Sequence, residues 1–323
     1  MSGDGWRTWR EAMTAALYGP AGFYRSPGAP ARNFRTAAHT GTAWSGAIAT
    51  LVSRVYDDLG RPAGFSVVDV GAGHGELLAG LAALGSDQWD LVGVDVAPRP
   101  NSLPATVRWQ DQLAGEFVGV LLAVEWLDVV PVDVAELAED GPRLVEVRDD
   151  GAERLGDLVS AADGEWLDRW WTLAEVGDRA EIGRPRDEAW QGAFSRLRAG
   201  AAVAIDYPAV PARDVAGTLT GYKEGRQVMP VPDGSMDLTA HVLFESLDDD
   251  ARLVSQREAL RQLGLTGRRP SYDGDAAGYL ADLSRAGDEA ELLDPGGLGA
   301  FTWLVHAVGT RNPLTTDLQG SPS

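Results

Sequence analysis

Three glycines, Gly71, Gly73 and Gly75, alternate behind an acid, Asp69, in the run VVDVGAGHGELL, and a second acid, Asp95, closes the next apolar run, LVGV. Glycines at this spacing let the backbone turn sharply and approach a ligand with no Cβ in the way. A helix that starts just after them offers free N–H groups at its first turn. An acid at a second strand end, here Asp95, can accept hydrogen bonds from both hydroxyls of a ribose. Farther on, the apolar run VGVLLAV empties into Glu125-Trp126-Leu127-Asp128 and is stopped at Pro131. Two carboxylates at such a strand end can orient a cationic group or take up a proton. His241, in the run DLTAHV, is a further candidate base or a helix cap.

The kind of cofactor is read from the spacing. A dinucleotide loop carries a small residue at the sixth position of its glycine motif, where the helix packs on the strand. Counted from Gly71, that position is Glu76. An acid ahead of the loop would repel a pyrophosphate but suits an ammonium. The motif therefore favours S-adenosylmethionine, whose amino-acid end is zwitterionic and carries no phosphate. NAD is the competing ligand, and a glycine turn that binds nothing is the bland alternative. Asp111, after a third short strand, could meet the adenine amino group or be an ordinary turn residue.

These residues need a strand–turn–helix–strand unit to hold them. Phe65–Val70 is short, apolar and β-branched, as a buried parallel strand should be. The helical run Glu76–Leu84 stops at Gly85, and Leu91–Val94 forms the next strand. Strands are expected over Ala105–Gln110, Val118–Val124, Ala201–Ile205 and Phe301–Val308. Helices are expected from Thr8, ending at Gly19-Pro20, and up to Gly60, where Trp44, Ile48, Leu51, Val52 and Val55 share a face. The segment 132–183 breaks the rhythm with a hairpin about Glu139-Asp140-Gly141-Pro142 and a tryptophan-bearing helix near 165–176, and reads as an insertion. Residues 211–234 read as a long turn-rich connection, and Met236–Leu247 as a helix capped by Asp237. The polar end, from residue 310, reads as disordered.

The 323 residues carry a net charge of −20. That disfavours a nucleic-acid or anionic-membrane partner, because no basic surface is available to displace phosphate counterions. With no cysteine and four scattered histidines, disulfides, thiolate nucleophiles and the usual metal spacings are excluded. No apolar run approaches a membrane span and no secretory leader is visible, so the expected compartment is the cytoplasm.

Several blocks resemble the MidA-like methyltransferases, which include the mitochondrial complex I assembly arginine methyltransferase and bacterial relatives. The carriers are ALYGPAGFY at 16–24, NFRTAAHT at 33–40, VVDVGAGHGELL at 67–78 and VEWLDVVPV at 124–132, then IDYP at 205–208, GTLTGY at 217–222 and DGSMDLTAHVLF at 233–244. The resemblance implies an α/β fold: a Rossmann-like class I methyltransferase sheet, helices on both faces, with a smaller α+β insertion. It divides the chain into an N-terminal helical segment over the cofactor site (1–60), the methyltransferase domain (61–131 and 184–309), the inserted region (132–183) and a tail (310–323). It implies S-adenosylmethionine as donor, held by Asp69, Gly71, Gly73, Gly75, Asp95, Asp111 and Glu125. It implies Glu125, Asp128 and His241 as catalytic residues, no metal, and a protein side chain, arginine in the family, as acceptor. A non-catalytic assembly protein that keeps the donor site is the alternative, because Thr220, Gly225, Val124 and Pro208 depart from the family's acceptor-side motifs.

Overall fold

The computed structural model describes residues 5–25, 42–85, 87–211, 215–272 and 275–314. The chain forms two compact units that it crosses between repeatedly: Met1–Arg35 with Glu125–Gly192 and Asp206–Asp249, and Thr36–Val124 with Ala193–Ile205 and Asp250–Ser323.

The second unit is built on a seven-stranded sheet. Its order is Arg252–Ser255, Thr302–Val308, Leu197–Asp206, Phe117–Val124, Ser66–Val70, Asp90–Val94 and Arg108–Gln110. The last five run parallel, and Arg252–Ser255 is antiparallel to Thr302–Val308. Ser66–Val70 lies inside the sheet, between Phe117–Val124 and Asp90–Val94, with every residue buried, which is why its sequence reads as a continuous apolar run rather than an alternation. The helix Thr42–Asp58 buries Trp44, Ile48, Leu51, Val52 and Val55, the face its spacing predicts. Trp44 meets Trp303 edge to face at 5.8 Å.

The other unit is an antiparallel sheet with a helix against it. Gly141–Val147 pairs with Arg7–Thr8, Asp133–Ala138 and Glu153–Leu158, and Arg179–Ile182 pairs with Asp133–Ala138. The helix Trp9–Tyr18 starts at a capping box, in which the Thr8 side chain accepts from the Glu11 N–H and Glu11 reaches back to Thr8. Its apolar face, Trp9, Ala12, Met13, Ala16 and Leu17, packs with Val132, Val134, Val145 and Val147. A second cluster gathers Trp166, Leu167 and Trp171 with Ala180 and Ile182, so these tryptophans are core.

Several expectations are corrected. Met236–Leu247 is not one helix: Asp237–Thr239 is a strand paired with Thr220–Tyr222, and only Phe244–Leu247 is helical. Residues 236–240 are buried without a break, as in a strand covered on both faces. Asp237 is therefore no helix cap. The supposed turn-rich connection holds a hairpin, Thr220–Lys223 with Arg226–Val228. The edge strand Glu153–Leu158 was not legible because it is polar and largely exposed. The compact units also divide residues 1–60 at Arg35, and the part outside the sheet domain extends well beyond 132–183. The polar end is tied down through Leu314: Asp58 accepts from Thr310 and Arg311, and Arg54 donates to the Pro313 carbonyl at 2.9 Å. Residues 315–323, and the block NFRTAAHT, lie outside the described residues.

Candidate active site

The register of the parallel strands brings the glycine loop and its acids together. Val70 stands opposite Val94, and Val94 opposite Gln110, so Gly71, Asp95 and Asp111 leave the sheet at neighbouring strand ends. The N–H groups of Gly71 and Ala72 donate to the Val94 carbonyl at 2.9 and 3.2 Å, closing the turn. Gly71, Gly73 and Gly75 have φ of 73°, 56° and 73°, a region L side chains rarely adopt. Two of these glycines have different reasons. A Cβ on Gly75 would lie 2.7 Å from Leu103 Cδ1, so that side chain would have to shift to admit it. A Cβ on Gly73 would meet no atom of the described residues within 4 Å, so among them its bare backbone faces open space.

Asp95 is held in that loop. Its carboxylate accepts from the Gly73 N–H at 2.8 Å and from the Ala97 N–H at 2.7 Å. Asp69 is 4 % exposed, and burial, then the charges of Asp95 and Glu76, push its carboxyl up to about 8. At neutral pH it is largely protonated, and a cation beside it would drive the proton off. Asp111 is exposed. Gly75 caps the helix Glu76–Ala83 with no side-chain bond, so the first-turn N–H groups keep their capacity to bind. This set can hold a ribose at Asp95 and a zwitterionic amino acid against the loop and Asp69.

The second constellation lies in the other unit and is made of side chains. Glu125 follows the strand Phe117–Val124 with φ of 50°, an uncommon conformation for a non-glycine residue that costs about 1 kcal/mol. The next turn is fixed by Asp206, whose Oδ2 accepts from the N–H groups of Leu127 and Asp128, both at 3.1 Å. Its Oδ1 accepts from the Tyr207 N–H at 2.9 Å. Asp128 is 7 % exposed, and its Oδ1 has no partner among the described residues. Burial raises both Asp128 and Asp206; the Arg186 guanidinium pulls Asp128 back, and the Asp128 charge pushes Asp206 further up.

Sequence reasoning missed the residues that tie these segments together. Arg186, 2 % exposed, donates to the Asp128 carbonyl at 2.8 Å and to the His241 carbonyl at 2.5 Å. Glu181, also 2 % exposed, accepts from the N–H groups of Thr218 and Leu219 at 2.7 and 2.9 Å. The Thr218 hydroxyl in turn accepts from the His241 N–H at 2.9 Å. The His241 ring stacks on Tyr207, with centroids 6.0 Å apart. His241 thus belongs with Asp128, outside any helix. A signal did exist: Arg186 sits in the first turn of the helix Arg184–Phe194, where the macrodipole disfavours a cation.

A family model described as "Putative S-adenosyl-L-methionine-dependent methyltransferase" matches residues 81–263, more than half of the chain. The chain belongs to this methyltransferase family. A crystal structure of a Burkholderia thailandensis protein bound to S-adenosyl-homocysteine is similar at 25% identity and a TM-score of 0.81. The match covers 98% of this chain and 92% of that one. A second, native crystal structure from the same organism is similar at 26% identity and a TM-score of 0.80, covering 98% and 91% of the two chains. None of the curated proteins matches the chain. The methyltransferase uses S-adenosylmethionine, as the glycine spacing and Asp69 suggested, and the dinucleotide alternative falls away. Among the described residues no helix is long and apolar enough to cross a membrane, and no group of acids and histidines is placed to hold a metal.

Proposed function

We propose that the methyltransferase acts on a nitrogen of a protein side chain, with arginine as the acceptor on the family resemblance. The observation that carries this reading is Asp128: a buried carboxylate oxygen without a partner among the described residues, close to other acids, asks for a cationic group.

The residues of the glycine loop fit the donor. Gly73 leaves the loop open, with Gly71 and Gly75 shaping the turn; Asp95 takes the ribose hydroxyls, Asp111 the adenine edge, and Asp69 the ammonium. When bound, S-adenosylmethionine supplies a methyl group already activated by its sulfonium, so the protein's part is to position and desolvate. A guanidinium is a poor nucleophile because its lone pairs are delocalised. Glu125 and Asp128 orient it and stabilise the charge as its proton leaves. His241 is a second group able to take that proton.

The experiment is incubation of the purified enzyme with methyl-labelled S-adenosylmethionine and a protein extract, followed by mass spectrometry of the labelled peptides. Label on an arginine nitrogen is the expected result. Label on small molecules or on uncharged side chains contradicts the reading. Donor binding with no transfer to any acceptor would favour the assembly role instead.

A further inference from the structure

We propose that Tyr24 and Asp237, together with the free carboxylate oxygen of Asp128, form the seat for the cationic group of the acceptor, with Tyr24 as a specificity-determining residue. The proposal rests on the reading that the acceptor is a charged protein side chain, and it names side chains that neither the family match nor the glycine loop identifies.

Two tyrosines of the ALYGPAGFY block join two acidic segments that lie far apart in the chain. The Tyr18 hydroxyl donates to the Val129 carbonyl at 3.0 Å, next to Asp128. The Tyr18 ring stacks on Tyr24, centroids 5.6 Å apart and planes 18° from parallel. The Tyr24 hydroxyl donates to both oxygens of Asp237, at 2.9 Å each. Asp237 is 2 % exposed and is one of the carboxylates whose burial the chain has to compensate. The Ala240 N–H, just past Asp237–Thr239, donates to the Asp128 carbonyl at 3.1 Å, and the charge of Asp128 raises Tyr24, Tyr222 and Asp237 alike.

The electrostatics of this cluster are unbalanced. Asp128, Asp206 and Asp237 share it with the Arg186 guanidinium, whose terminal nitrogens are spent on main-chain carbonyls. Unpaired buried carboxylates stay only partly ionised; burial first, then the Asp128 charge, holds Asp237 at about 7. An organic cation restores the balance, and tyrosine rings beside carboxylates suit one, because the ring faces are negative and the acids supply the acceptors. Tyr24 stays a neutral phenol because burial raises it well above its ordinary value, so it remains a donor that holds the Asp237 carboxylate in one orientation.

The test uses the full-length enzyme with S-adenosyl-homocysteine bound and three probes followed by NMR titration: N-acetyl-arginine methylamide, N-acetyl-lysine methylamide and the neutral N-acetyl-citrulline methylamide. Wild type is expected to bind at least one of the two cations, and to bind citrulline about tenfold more weakly or not at all. Tyr24→Phe keeps the stack on Tyr18 and removes the bond to Asp237; Asp237→Asn keeps the shape and removes the charge. Both variants are expected to weaken the cation about tenfold while S-adenosyl-homocysteine binds as in wild type, which also reports that they fold. Equal binding of citrulline and arginine, unchanged cation affinity in both variants, or no cation binding by a donor-loaded wild type overturns the proposal. Cation binding without any labelled protein would overturn the protein acceptor and leave the seat standing.

Discussion

The glycine loop and the Asp128 cluster solve opposite problems with opposite materials. The loop works with backbone: bare glycines, main-chain N–H groups on Asp95, and open space at Gly73. The cluster works with buried side chains, three carboxylates, a guanidinium and stacked tyrosines, drawn from five separated stretches of chain. A backbone site is shape-specific and tolerant of charge. A buried side-chain site is charge-specific, because each unsatisfied group in a low dielectric is costly. A methyl donor with the same form in every reaction suits the first kind, and an acceptor that has to be chosen suits the second.

That contrast can be broken at either end. The largest effect is expected at Gly73. A Cβ there meets none of the described residues within 4 Å, so the expected cost of Gly73→Val to the fold is about 1–2 kcal/mol of backbone strain, while the side chain occupies the donor's space. Calorimetry should find S-adenosyl-homocysteine binding weakened by at least about 100-fold. Binding close to wild type would show that the open space is not the donor site.

Next comes Arg186. Arg186→Met keeps much of the volume but removes the bonds to the Asp128 and His241 carbonyls and leaves buried carboxylates without their cation. Urea denaturation should show a loss of about 2–6 kcal/mol, from two buried carbonyls left without donors at about 1–3 kcal/mol each. A loss below about 1 kcal/mol would place Arg186 among surface-like contacts.

A smaller effect is the pH dependence set by Asp69. Its carboxyl titrates near 8 in the folded chain, against an ordinary value of 3.8. A raised value means that the folded state holds a proton the unfolded state has given up. The contribution to stability is therefore full below about pH 4 and is lost as pH rises to about 8, at most about 1.4 kcal/mol per unit. Donor binding should run the other way, tightening from pH 6 to 8 as Asp69 ionises to face the ammonium. Asp69→Asn should flatten both profiles; an unchanged slope would remove Asp69 from the donor's ammonium.

The two regions were also unequally legible. VVDVGAGHGELL, with Asp69 ahead of its glycines, and LVGV, with Asp95 after it, lie within one short stretch, and local rules of glycine turns and apolar strands suffice to read them. Asp128 was visible as an odd carboxylate at the end of an apolar run. Its companions were not, because Arg186, Glu181 and Tyr24 reach it only through long-range packing. Asp237 was misread as a cap because a strand buried on both faces leaves no clean alternation, and Thr239 and Asp237 are as buried as Leu238. The helix starting at Thr8 and the apolar face of Thr42–Asp58 were local, and their reading agrees with the structure.

The central claim is that donor and acceptor are handled by different residues, and Glu125→Ala tests it most directly. Two quantities are measured on one preparation: the affinity for S-adenosyl-homocysteine by calorimetry, and the transfer rate from labelled donor. The account predicts affinity within about threefold of wild type and a transfer rate lowered by about 100-fold or more. A variant that loses donor affinity in step with transfer, or transfers methyl groups at the wild-type rate, would contradict it.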